Sequence, residues 1–593
     1  MCGLFGVCGP RLDNSNHNYS DALSWLKHRG PDSTQTIISD ELFLGFHRLS
    51  ITAVADKTAD QPYRLSNGYY MLFNGEIFNF DECISIFKPP KYIKESLSDT
   101  HLLAYILTNF SLDYLNYVDG MFSIALIDPN LKRVQLIRDR YGVKPLYYFS
   151  GSNSIFAFSS HPTPLAMLSE HDLQPDLHTI RTYLETGLYD HTTSTFFADI
   201  KCVPPGSCMT INYGDSNSTT HSYWYNILNH IPTITKQFGT DDLHRLDQLF
   251  TEIFKDYIPN EVDYALNISG GVDSSLLVSK CYELTGKLPL LQNQHYDGDQ
   301  SERPWINELT NLYNAKVDFH HVTPELILDD YKSTFAYQAQ PFGGVTVIGY
   351  TPLYKNAFLN KIKVVLDGSG LDEVFLGYPR YYTNYQRDNT YWISSHKGAT
   401  GPTDEKGIRP QAITSNLINT TSIISNDALQ RLKPLHEQDP VRYLAFLDLF
   451  SFKIPRTLRF TDHASSRFSL ELRSPFLSYK LIHYALGFSS NSFVNELGSK
   501  LPIREILRRK NLQKIANAPK RYVQSPQNVW IDNQLYSLLE PLLSNDALVY
   551  SFSILNPIAI RQEIEKYSSS SRANSYYLWQ WLSLEIFLRN FFS

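Results

Sequence analysis

YALNISGGVDSSLLVSKCYELTG, residues 264–286, joins an apolar run to a glycine-rich turn and then to a run with helical spacing. Residues 264–268 predict a buried β-strand. The turn Ser269–Ser275 predicts the start of a helix, where backbone NH groups and the helix dipole favour phosphate oxygens. It lacks the Gly-Lys-Ser/Thr ending of a Walker A loop, so it predicts a nucleotide site of a different kind.

The same pattern returns further along the chain. KIKVVLDGSGLDEVFLGY, residues 361–378, predicts a second strand, a loop and the start of a helix. Strands that alternate with helices predict a parallel sheet that binds ligands at the carboxyl ends of its strands. Asp273 and Asp372 follow these two strands, and one or two carboxylates together with phosphate oxygens typically hold Mg²⁺. The two carboxylates therefore predict a Mg²⁺–nucleotide site.

The first third of the chain has another pattern, in which short β-rich runs alternate with turn residues. These runs predict stacked antiparallel sheets with a few helices. Tyr69–Phe73 and Phe122–Ile127 are examples of predicted buried strands, and Thr100–Phe110 is a predicted helix.

The change of pattern predicts two domains. A polar stretch follows Asn212, so we expect a first domain over 1–212, a linker over 213–239 and a second domain over 240–593. Single cores stop growing near ~250–300 residues, and a chain of 593 residues is too long for one.

The composition, with 42% hydrophobic and 19% charged residues, is that of an ordinary globular protein. A net charge of −7 gives no basic surface for nucleic acid. The six cysteines form no CxxC pair, which favours a reducing, cytoplasmic compartment. Every apolar run is shorter than the ~18 residues of a membrane span, and the N-terminus does not have the pattern of a signal peptide. We therefore expect no nucleic-acid or membrane partner.

Cys2 directly follows Met1. If Met1 is removed, Cys2 carries both a thiol and an α-amine whose reference pKa of ~7.7–8.0 lets it accept the thiol proton near neutral pH. A nucleophile activated by its own terminal amine is a known catalytic arrangement.

Five further motifs follow the N-terminal one in order along the chain. The six are MCGLFG (1–6), HRGPD (28–32), FHRLSI (46–51), FNGEIFN (73–79), SDT (98–100) and RDRYGVKPLYY (138–148). Together they resemble the class II glutamine amidotransferase domain, an N-terminal-nucleophile hydrolase. The resemblance implies that Cys2 attacks the glutamine carboxamide, forms a thioester and releases ammonia.

The resemblance also implies roles for other residues of these motifs. The side-chain amide of Asn74 and the backbone NH of Gly75 would stabilise the oxyanion. Arg48 would bind the α-carboxylate of glutamine, and Glu76 and Asp99 would bind its α-ammonium.

The second half resembles the synthetase domain of glutamine-hydrolysing asparagine synthetases, and SGGVDSS resembles the loop of enzymes that cleave ATP to AMP and pyrophosphate. The resemblance implies ATP and Mg²⁺ as cofactors, an acyl-adenylate, and an internal, mostly apolar channel for ammonia. Lys520 would contact the α-phosphate or pyrophosphate as a catalytic residue. The nucleotide-binding residues would be Leu266, Ser269, Gly270, Gly271, Asp273, Ser274 and Gly368, with Asp273 and Asp372 as metal ligands.

The acceptor domain departs from the family pattern at three places. Ser369 stands where the family has a glutamate that is a candidate base, and His463 and Ala518 stand where arginines are usual. L-Aspartate is the commonest acceptor of the family and therefore the first expectation. A uronic acid of a surface polysaccharide, a peptide carboxylate or a natural-product precursor is the alternative. A non-catalytic glutamine sensor is less favoured, because such a protein would be expected to lose catalytic residues that this chain keeps. A homodimer is possible.

Overall fold

The computed structural model describes residues 1–10, 12, 19–151, 155–168, 173–213, 218–231, 237–296, 302–383, 412–414, 417, 430–495, 498–520, 525–569 and 575–593. The polar segment 395–415 is predicted from its glycines and prolines to be a loop or insertion, and apart from 412–414 it lies outside these residues.

The N-terminal half is built from short strands and six helices within the described residues. In chain order they are β1 Gly3–Cys8, α1 Tyr19–Trp25, β2 Ser33–Ile38, β3 Leu42–Arg48, β4 Tyr63–Arg64, β5 Tyr70–Ile77, α2 Phe80–Phe87, α3 Lys91–Ser96, α4 Asp99–Asn109, β6 Gly120–Asp128, β7 Arg133–Arg138, β8 Tyr147–Ser150, β9 Phe156–Ser159, α5 Pro162–Leu168, α6 Leu177–Thr186, β10 Ile200–Cys202, β11 Ser207–Asn212 and β12 Thr219–Tyr223.

These strands form two antiparallel six-stranded sheets, in the orders β10-β8-β9-β1-β3-β2 and β12-β11-β7-β6-β5-β4. Apolar side chains of the two sheets pack against each other in one core, which includes Leu4 and Phe46 from the first sheet and Leu72 and Leu136 from the second. The predicted stack of antiparallel sheets is therefore confirmed. Within the predicted linker 213–239, strand β12 pairs with β11 and extends the second sheet.

The C-terminal half alternates strands with helices. In chain order it contains α7 Thr240–Tyr257, β13 Tyr264–Asn267, α8 Val272–Thr285, β14 Leu290–His295, α9 Arg303–Tyr313, β15 Asp318–His321, α10 Pro324–Gln338, α11 Val345–Gly349, α12 Thr351–Leu359, β16 Val364–Leu366, α13 Leu371–Val374, α14 Pro379–Thr383, α15 Lys433–Gln438, α16 Pro440–Leu447, a π-helical turn Asp448–Phe452, α17 Ile454–Ser466, β17 Glu471–Arg473, α18 Tyr479–Leu486, β18 Val494–Asn495, β19 Gly498–Ser499, α19 Leu501–Arg509, α20 Gln513–Ala516, α21 Gln527–Ile531, α22 Glu540–Leu543, α23 Leu548–Ser551, α24 Pro557–Ser569 and α25 Tyr576–Phe591.

Its main sheet is parallel throughout, with the order β15-β14-β13-β16-β17. Helix α7 covers this region through buried apolar residues spaced three or four apart, such as Leu246, Phe250 and Phe254. The predicted parallel sheet is confirmed. Because the strands are parallel, the loops after β13 and β16 leave the sheet at the same edge.

The six cysteines are free thiols. Among the described helices, none combines the length and the apolar character that a bilayer crossing needs.

Candidate active sites

Strand β1 starts beside the strand that carries Asn74. The backbone nitrogen of Cys2 donates to Asn74 Oδ1 at 2.9 Å, and the backbone nitrogen of Leu49 lies 3.5 Å from Cys2 Sγ. Burial raises the pKa of the Cys2 thiol, so a base must take its proton before it can attack. Burial also lowers the pKa of the amine at Met1 to about 6. Burial at this end of the chain therefore favours the neutral form of an amine, the form that can accept a proton.

The predicted oxyanion residues lie on β5 next to the thiol. Asn74 is fully buried, and its amide nitrogen is 3.5 Å from Ser123 Oγ. At Gly75 an added Cβ would come within 2.1 Å of the carbonyl oxygen of Met121, so no side chain fits at this position. The structure brings Cys2, Asn74 and Gly75 together.

Two predicted ammonium-binding carboxylates also lie in this site. Glu76 and Asp99 are each 8% exposed. Burial raises the pKa of both carboxyls, and the neighbouring Glu76 raises the pKa of Asp99 further. Two buried carboxylates this close favour a cation between them, and the α-ammonium of glutamine has that charge.

Arg48 has its guanidinium on the loop that follows β3. Its Nη1 donates to the carbonyl of Asp56 and to Asp60 Oδ1, and its Nη2 donates to the carbonyl of Ala53 at 3.0 Å. Arg48 therefore holds this loop in place, and its contact with the glutamine α-carboxylate stays a prediction.

The turn after β13 has the form expected of a phosphate-binding loop. Leu266 is buried in the strand, and Gly270 has φ +60°, where an added Cβ would lie 2.9 Å from the backbone nitrogen of Ile306. The Ser274 hydroxyl accepts a hydrogen bond from the backbone nitrogen of Ser269 at 3.1 Å. Glycine is needed here for both conformation and space.

The loop after β16 packs directly against this turn. An added Cβ on Gly368 would lie 3.2 Å from the Cβ of Asp273. The backbone nitrogen of Gly271 donates to Ser269 Oγ at 3.3 Å and closes the turn beside it. The seven predicted nucleotide-binding residues therefore lie at the end of β13, in the turn and the first turn of α8 that follow it, and in the adjoining loop after β16.

Four charged side chains meet where these loops end. Lys500 Nζ pairs with Asp273 and lies 2.5 Å from Asp372 Oδ1, and Lys520 Nζ donates to Asp372 Oδ2 at 2.6 Å. Burial alone would raise the pKa of Asp372. The positive charges of Lys500 and Lys520 outweigh burial and hold that pKa far below its usual range. Asp372 is therefore ionised at any physiological pH. The cluster brings together three of the predicted residues and adds Lys500.

The two carboxylates fit a divalent cation that also binds phosphate. Asp273 and Asp372 both contact one ammonium group, that of Lys500, so their oxygens converge on a single positive charge. Within the described ranges no group of three or more acidic, histidine or cysteine side chains could hold a metal alone. Two carboxylates with phosphate oxygens completing the shell are typical of Mg²⁺.

Lys500 was missed by the sequence analysis. It precedes helix α19 and lies 227 residues after Asp273. A lysine before an amphipathic helix is usually a surface residue, and local spacing carries no information about partners so distant. In the folded chain Lys500 is only 3% exposed, and its contacts with the two aspartates become visible there.

Ser369 lies in the loop between the strand and Asp372. Its backbone nitrogen donates to Asp367 Oδ1 at 2.9 Å, and Ser474 Oγ donates to the same oxygen at 2.9 Å. Burial raises the pKa of Asp367. Glu373 is directed elsewhere, because its Oε1 lies 3.5 Å from Lys453 Nζ. Of these two carboxylates, Asp367 is the one that contacts Ser369.

The two halves meet through buried charges near Cys2. Arg29, fully buried, donates through Nε to the carbonyl of Cys2 at 3.1 Å and through Nη1 to Asp462 Oδ2 at 2.8 Å. Asp462 belongs to α17 of the C-terminal half, so one side chain links the nucleophile to that half. The Lys363 ammonium makes a second such contact with Asp32, at 2.6 Å.

Three histidines pack beside Arg29 at this junction. The rings of His161 and His463 are 4.2 Å apart, and Trp25 lies 4.4 Å from His161 and 5.0 Å from His28. Burial lowers the pKa of His28 to about 3 and holds those of His161 and His463 well below the ordinary value. The three rings are neutral in the folded protein.

Acid should therefore destabilise the folded protein through His463. The unfolded chain binds a proton on this residue below about pH 6.5 and the folded chain does not, so stability is complete above that pH and falls as the pH drops below it. The expected contribution is up to about 1.4 kcal/mol per pH unit. His463→Gln can still donate to the Gln338 carbonyl, which His463 Nδ1 contacts at 3.2 Å.

The measurement is the thermal midpoint between pH 7.5 and pH 4.5 for both proteins. The two proteins share the nearby charged residues Arg29, Arg459 and Asp462. A difference in how steeply their thermal midpoints fall with pH therefore comes from His463. An identical slope for the variant would contradict the assignment.

Two family models match the chain. A model described as glutamine amidotransferase domain matches residues 1–224, and one described as asparagine synthase matches residues 245–589, more than half of the chain.

Individual relatives are distant. Glutamine-hydrolyzing asparagine synthetase 2 of Bacillus subtilis is 27% identical over 401 residues, which cover 64% of this chain and 52% of that protein. Glutamine-hydrolyzing asparagine synthetase 1 of the same organism is 27% identical over 395 residues, which cover 64% of this chain and 59% of that protein. Amidase chry2 of Gibberella zeae is 22% identical over 596 residues, which cover 88% of this chain and 87% of that protein. The chain thus spans little more than half the length of the two Bacillus proteins.

Proposed function

The chain belongs to the asparagine synthase family, and on that premise we propose that it transfers the amide nitrogen of glutamine to a carboxylate that ATP activates, with release of AMP and pyrophosphate. The observation that carries the proposal is the cluster of Asp273, Asp372, Lys500 and Lys520 at the loops after β13 and β16. Four converging charges at this sheet edge suit the polyphosphate of a nucleotide and a divalent cation.

The proposed reaction begins in the N-terminal half. The Cys2 thiol loses its proton to its own amine after Met1 is removed and attacks the carboxamide of glutamine. Asn74 and the Gly75 NH stabilise the resulting oxyanion, and collapse of the intermediate releases ammonia and leaves a thioester. Water then hydrolyses the thioester to glutamate and restores the thiol.

In the C-terminal half, an oxygen of the acceptor carboxylate attacks the α-phosphorus of ATP and expels pyrophosphate, which forms an acyl-adenylate. Asp273 and Asp372 would hold Mg²⁺, which when bound supplies positive charge against the phosphate oxygens. Lys520 lies next to Asp372 and would neutralise charge on the same phosphates. Ammonia then attacks the acyl carbon, AMP leaves, and one proton passes to a base.

L-Aspartate is the first acceptor that we propose, because it is the commonest acceptor of the family. A bulkier carboxylate such as a uronic acid derivative is the second, and the observation that favours it is Ser369, which cannot act as the family base. The cytoplasmic location, the possible homodimer and the domain limits stay predictions.

We expect weak turnover with L-aspartate and better turnover with a uronic acid derivative. A missing general base usually costs ~10²–10⁴-fold in rate unless another group such as Asp367 replaces it. Pyrophosphate release is measured with ATP, Mg²⁺ and glutamine over a panel of carboxylates, and each amide product is identified by mass spectrometry. Aspartate turnover at ~1–10³ s⁻¹ with no activity on the other acids would show that Ser369 does not mark a changed substrate. No pyrophosphate with any acid would count against the proposed function.

A further inference from the structure

The sixth N-terminal motif, residues 138–148, lines a cavity of about 340 Å³ at the junction of the two halves. Arg138, Arg140, Tyr141 and Tyr147 are the lining side chains that belong to the motif. The π-helical turn after α16 and the first turns of α17 supply lining side chains from the C-terminal half. Within the described chain, no residue of the glutamine or nucleotide site lines this cavity. Its size is enough to enclose much of a small molecule.

The lining of the cavity is rich in positive charge. Four of its described lining residues are arginines, and Asp190 is the one acidic residue among them. Asp190 already has a partner, because Arg459 Nε lies 2.6 Å from its Oδ2. An anion that enters the cavity therefore meets guanidinium groups, and the carboxylate that it meets in the described lining is already paired.

The guanidinium groups of Arg138 and Arg140 are held by neutral atoms. Arg138 donates through Nη1 to the carbonyl of Val203 at 2.7 Å and through Nε to the carbonyl of Lys144 at 2.9 Å. Arg140 donates through Nη2 to the carbonyl of Asn116 at 2.6 Å, and its Nε is buried without a hydrogen-bond acceptor in the described chain. Backbone carbonyls orient these groups and leave their charge in place, because a guanidinium keeps its proton in a protein.

Two buried acids lie near these arginines. Asp139 accepts a hydrogen bond from the backbone nitrogen of Val143 at 2.9 Å, and Asp119 accepts one from the hydroxyl of Ser478 at 2.5 Å. Each acid offsets part of the charge of its neighbouring arginine. Neither lines the cavity, so these acids weaken the attraction for an anion inside it without facing that anion directly.

Aromatic rings give the cavity apolar walls. The ring centroids of Tyr141, from the motif, and Phe450, from the C-terminal half, lie 5.6 Å apart across the junction. Arg431 lies over the ring of Tyr223 at 4.0 Å, which places a guanidinium beside another aromatic face. Aromatic faces pack against planar apolar groups, and arginine binds carboxylates and phosphates. The lining therefore suits a molecule that combines a ring with a negative charge.

We propose that this cavity is a binding site for a small molecule with a planar apolar body and one anionic group, such as a phosphate ester or a carboxylate. The site is independent of the proposed reaction, because it depends on the charges and rings of its own lining. Both halves contribute lining residues, so a bound ligand holds the halves together and raises the stability of the folded protein.

Phenyl phosphate is a suitable probe, since it joins one planar ring to one phosphate group. Its binding to the full-length protein is measured by isothermal titration calorimetry. Inorganic phosphate and benzyl alcohol each lack one of the two parts and serve as comparisons. We expect phenyl phosphate to bind at least about tenfold more tightly than either, because it alone contacts both the arginines and the rings.

Cys202 reports whether the probe lies in the cavity. This partly buried thiol lines the cavity, and its Sγ lies 2.8 Å from Arg138 Nη1. Its alkylation by iodoacetamide at alkaline pH is followed by mass spectrometry of the digested protein. Phenyl phosphate should slow alkylation of Cys202 about tenfold at ten times its Kd, in line with occupancy of the site. Alkylation of Cys2 should not change.

Arg431→Gln tests the contribution of charge, and Arg303→Gln is its matched control. Arg303 also lies over an aromatic ring, that of Phe319 at 4.2 Å, and it does not line the cavity. Arg431→Gln should weaken phenyl phosphate binding about tenfold, because a hydrogen bond to a charged group is lost. Arg303→Gln should keep the wild-type affinity.

The absence of phenyl phosphate binding would overturn the inference, and so would binding that does not protect Cys202. A Cys202 that resists alkylation without any probe would show that the cavity is closed to small molecules, with the same consequence. Equal affinity of Arg431→Gln and the wild type, or equally tight binding of inorganic phosphate or benzyl alcohol, would contradict the proposed ligand. If Arg431→Gln does not fold, Thr193→Trp, at an exposed lining position, should block the cavity. Retained affinity in that variant would count against the site.

Discussion

Cys2→Ala should abolish glutamine-dependent amide formation and leave ammonia-dependent formation in place. Glutamine hydrolysis should fall by more than about 10⁴-fold, as expected when a covalent nucleophile is removed. The synthetase half needs only ammonia, and Asp273, Asp372 and Lys520 are not altered by the substitution. Both activities are measured as amide product by mass spectrometry, with glutamine or an ammonium salt as the nitrogen source.

Cys8→Ala is the matched control. Cys8 lies at the other end of β1, and burial raises the pKa of its thiol, so it is an inert core residue. Its replacement should cost stability but keep glutamine hydrolysis. A second variant carries extra residues before Cys2 that are not removed. It should behave like Cys2→Ala, because the nitrogen of Cys2 is then an amide and cannot accept the thiol proton. Hydrolysis at the wild-type rate in Cys2→Ala would exclude Cys2 as the nucleophile.

Asp372→Asn should suppress pyrophosphate release by about 10²–10³-fold, the range seen when one preorganised electrostatic group is lost. The change removes the negative charge that faces both Lys500 and Lys520, and with it one of the two carboxylates suited to Mg²⁺. Asp273→Asn should act in the same direction. Glutamine hydrolysis should persist in both variants, because Cys2 and Asn74 lie in the other half.

Asp330→Asn is the control for charge removal in the same half. Asp330 pairs with Arg467 at 2.7 Å and accepts hydrogen bonds from the hydroxyls of Thr334 and Thr351, none of which belongs to the nucleotide cluster. This variant should keep pyrophosphate release close to that of the wild type. The products are separated by chromatography, and the appearance of ADP and phosphate in place of AMP and pyrophosphate would refute adenylation.

The fold could be predicted from the sequence where local pattern determines it. The run from Tyr264 to Gly286 predicts strand, turn and helix, and the structure has β13 and α8 there. Helix α4 likewise matches the predicted Thr100–Phe110 to within one residue at each end. Alternating apolar residues and turn signals are short-range features, and they specify these elements without knowledge of the rest of the chain.

The contacts that complete the sites are long-range, and the sequence could not show them. Lys500 bridges two aspartates from distant segments, and Arg473 extends from one half into the carboxylates of the other. The charged side chains of β17 likewise reach Glu76 and Lys144 of the N-terminal half. Such placement depends on how two domains dock, which residue spacing does not encode.

The buried pair of Arg29 and Asp462 limits how freely hybrid enzymes can be assembled from this chain. A chimaera that took its amidotransferase half from a relative without this arginine would leave the Asp462 carboxylate buried and unpaired. Breaking a buried pair in that way costs about 3–5 kcal/mol, a large part of the stability of a typical domain. Exchange of the N-terminal half therefore requires α17, which carries Asp462, to be matched to the incoming surface.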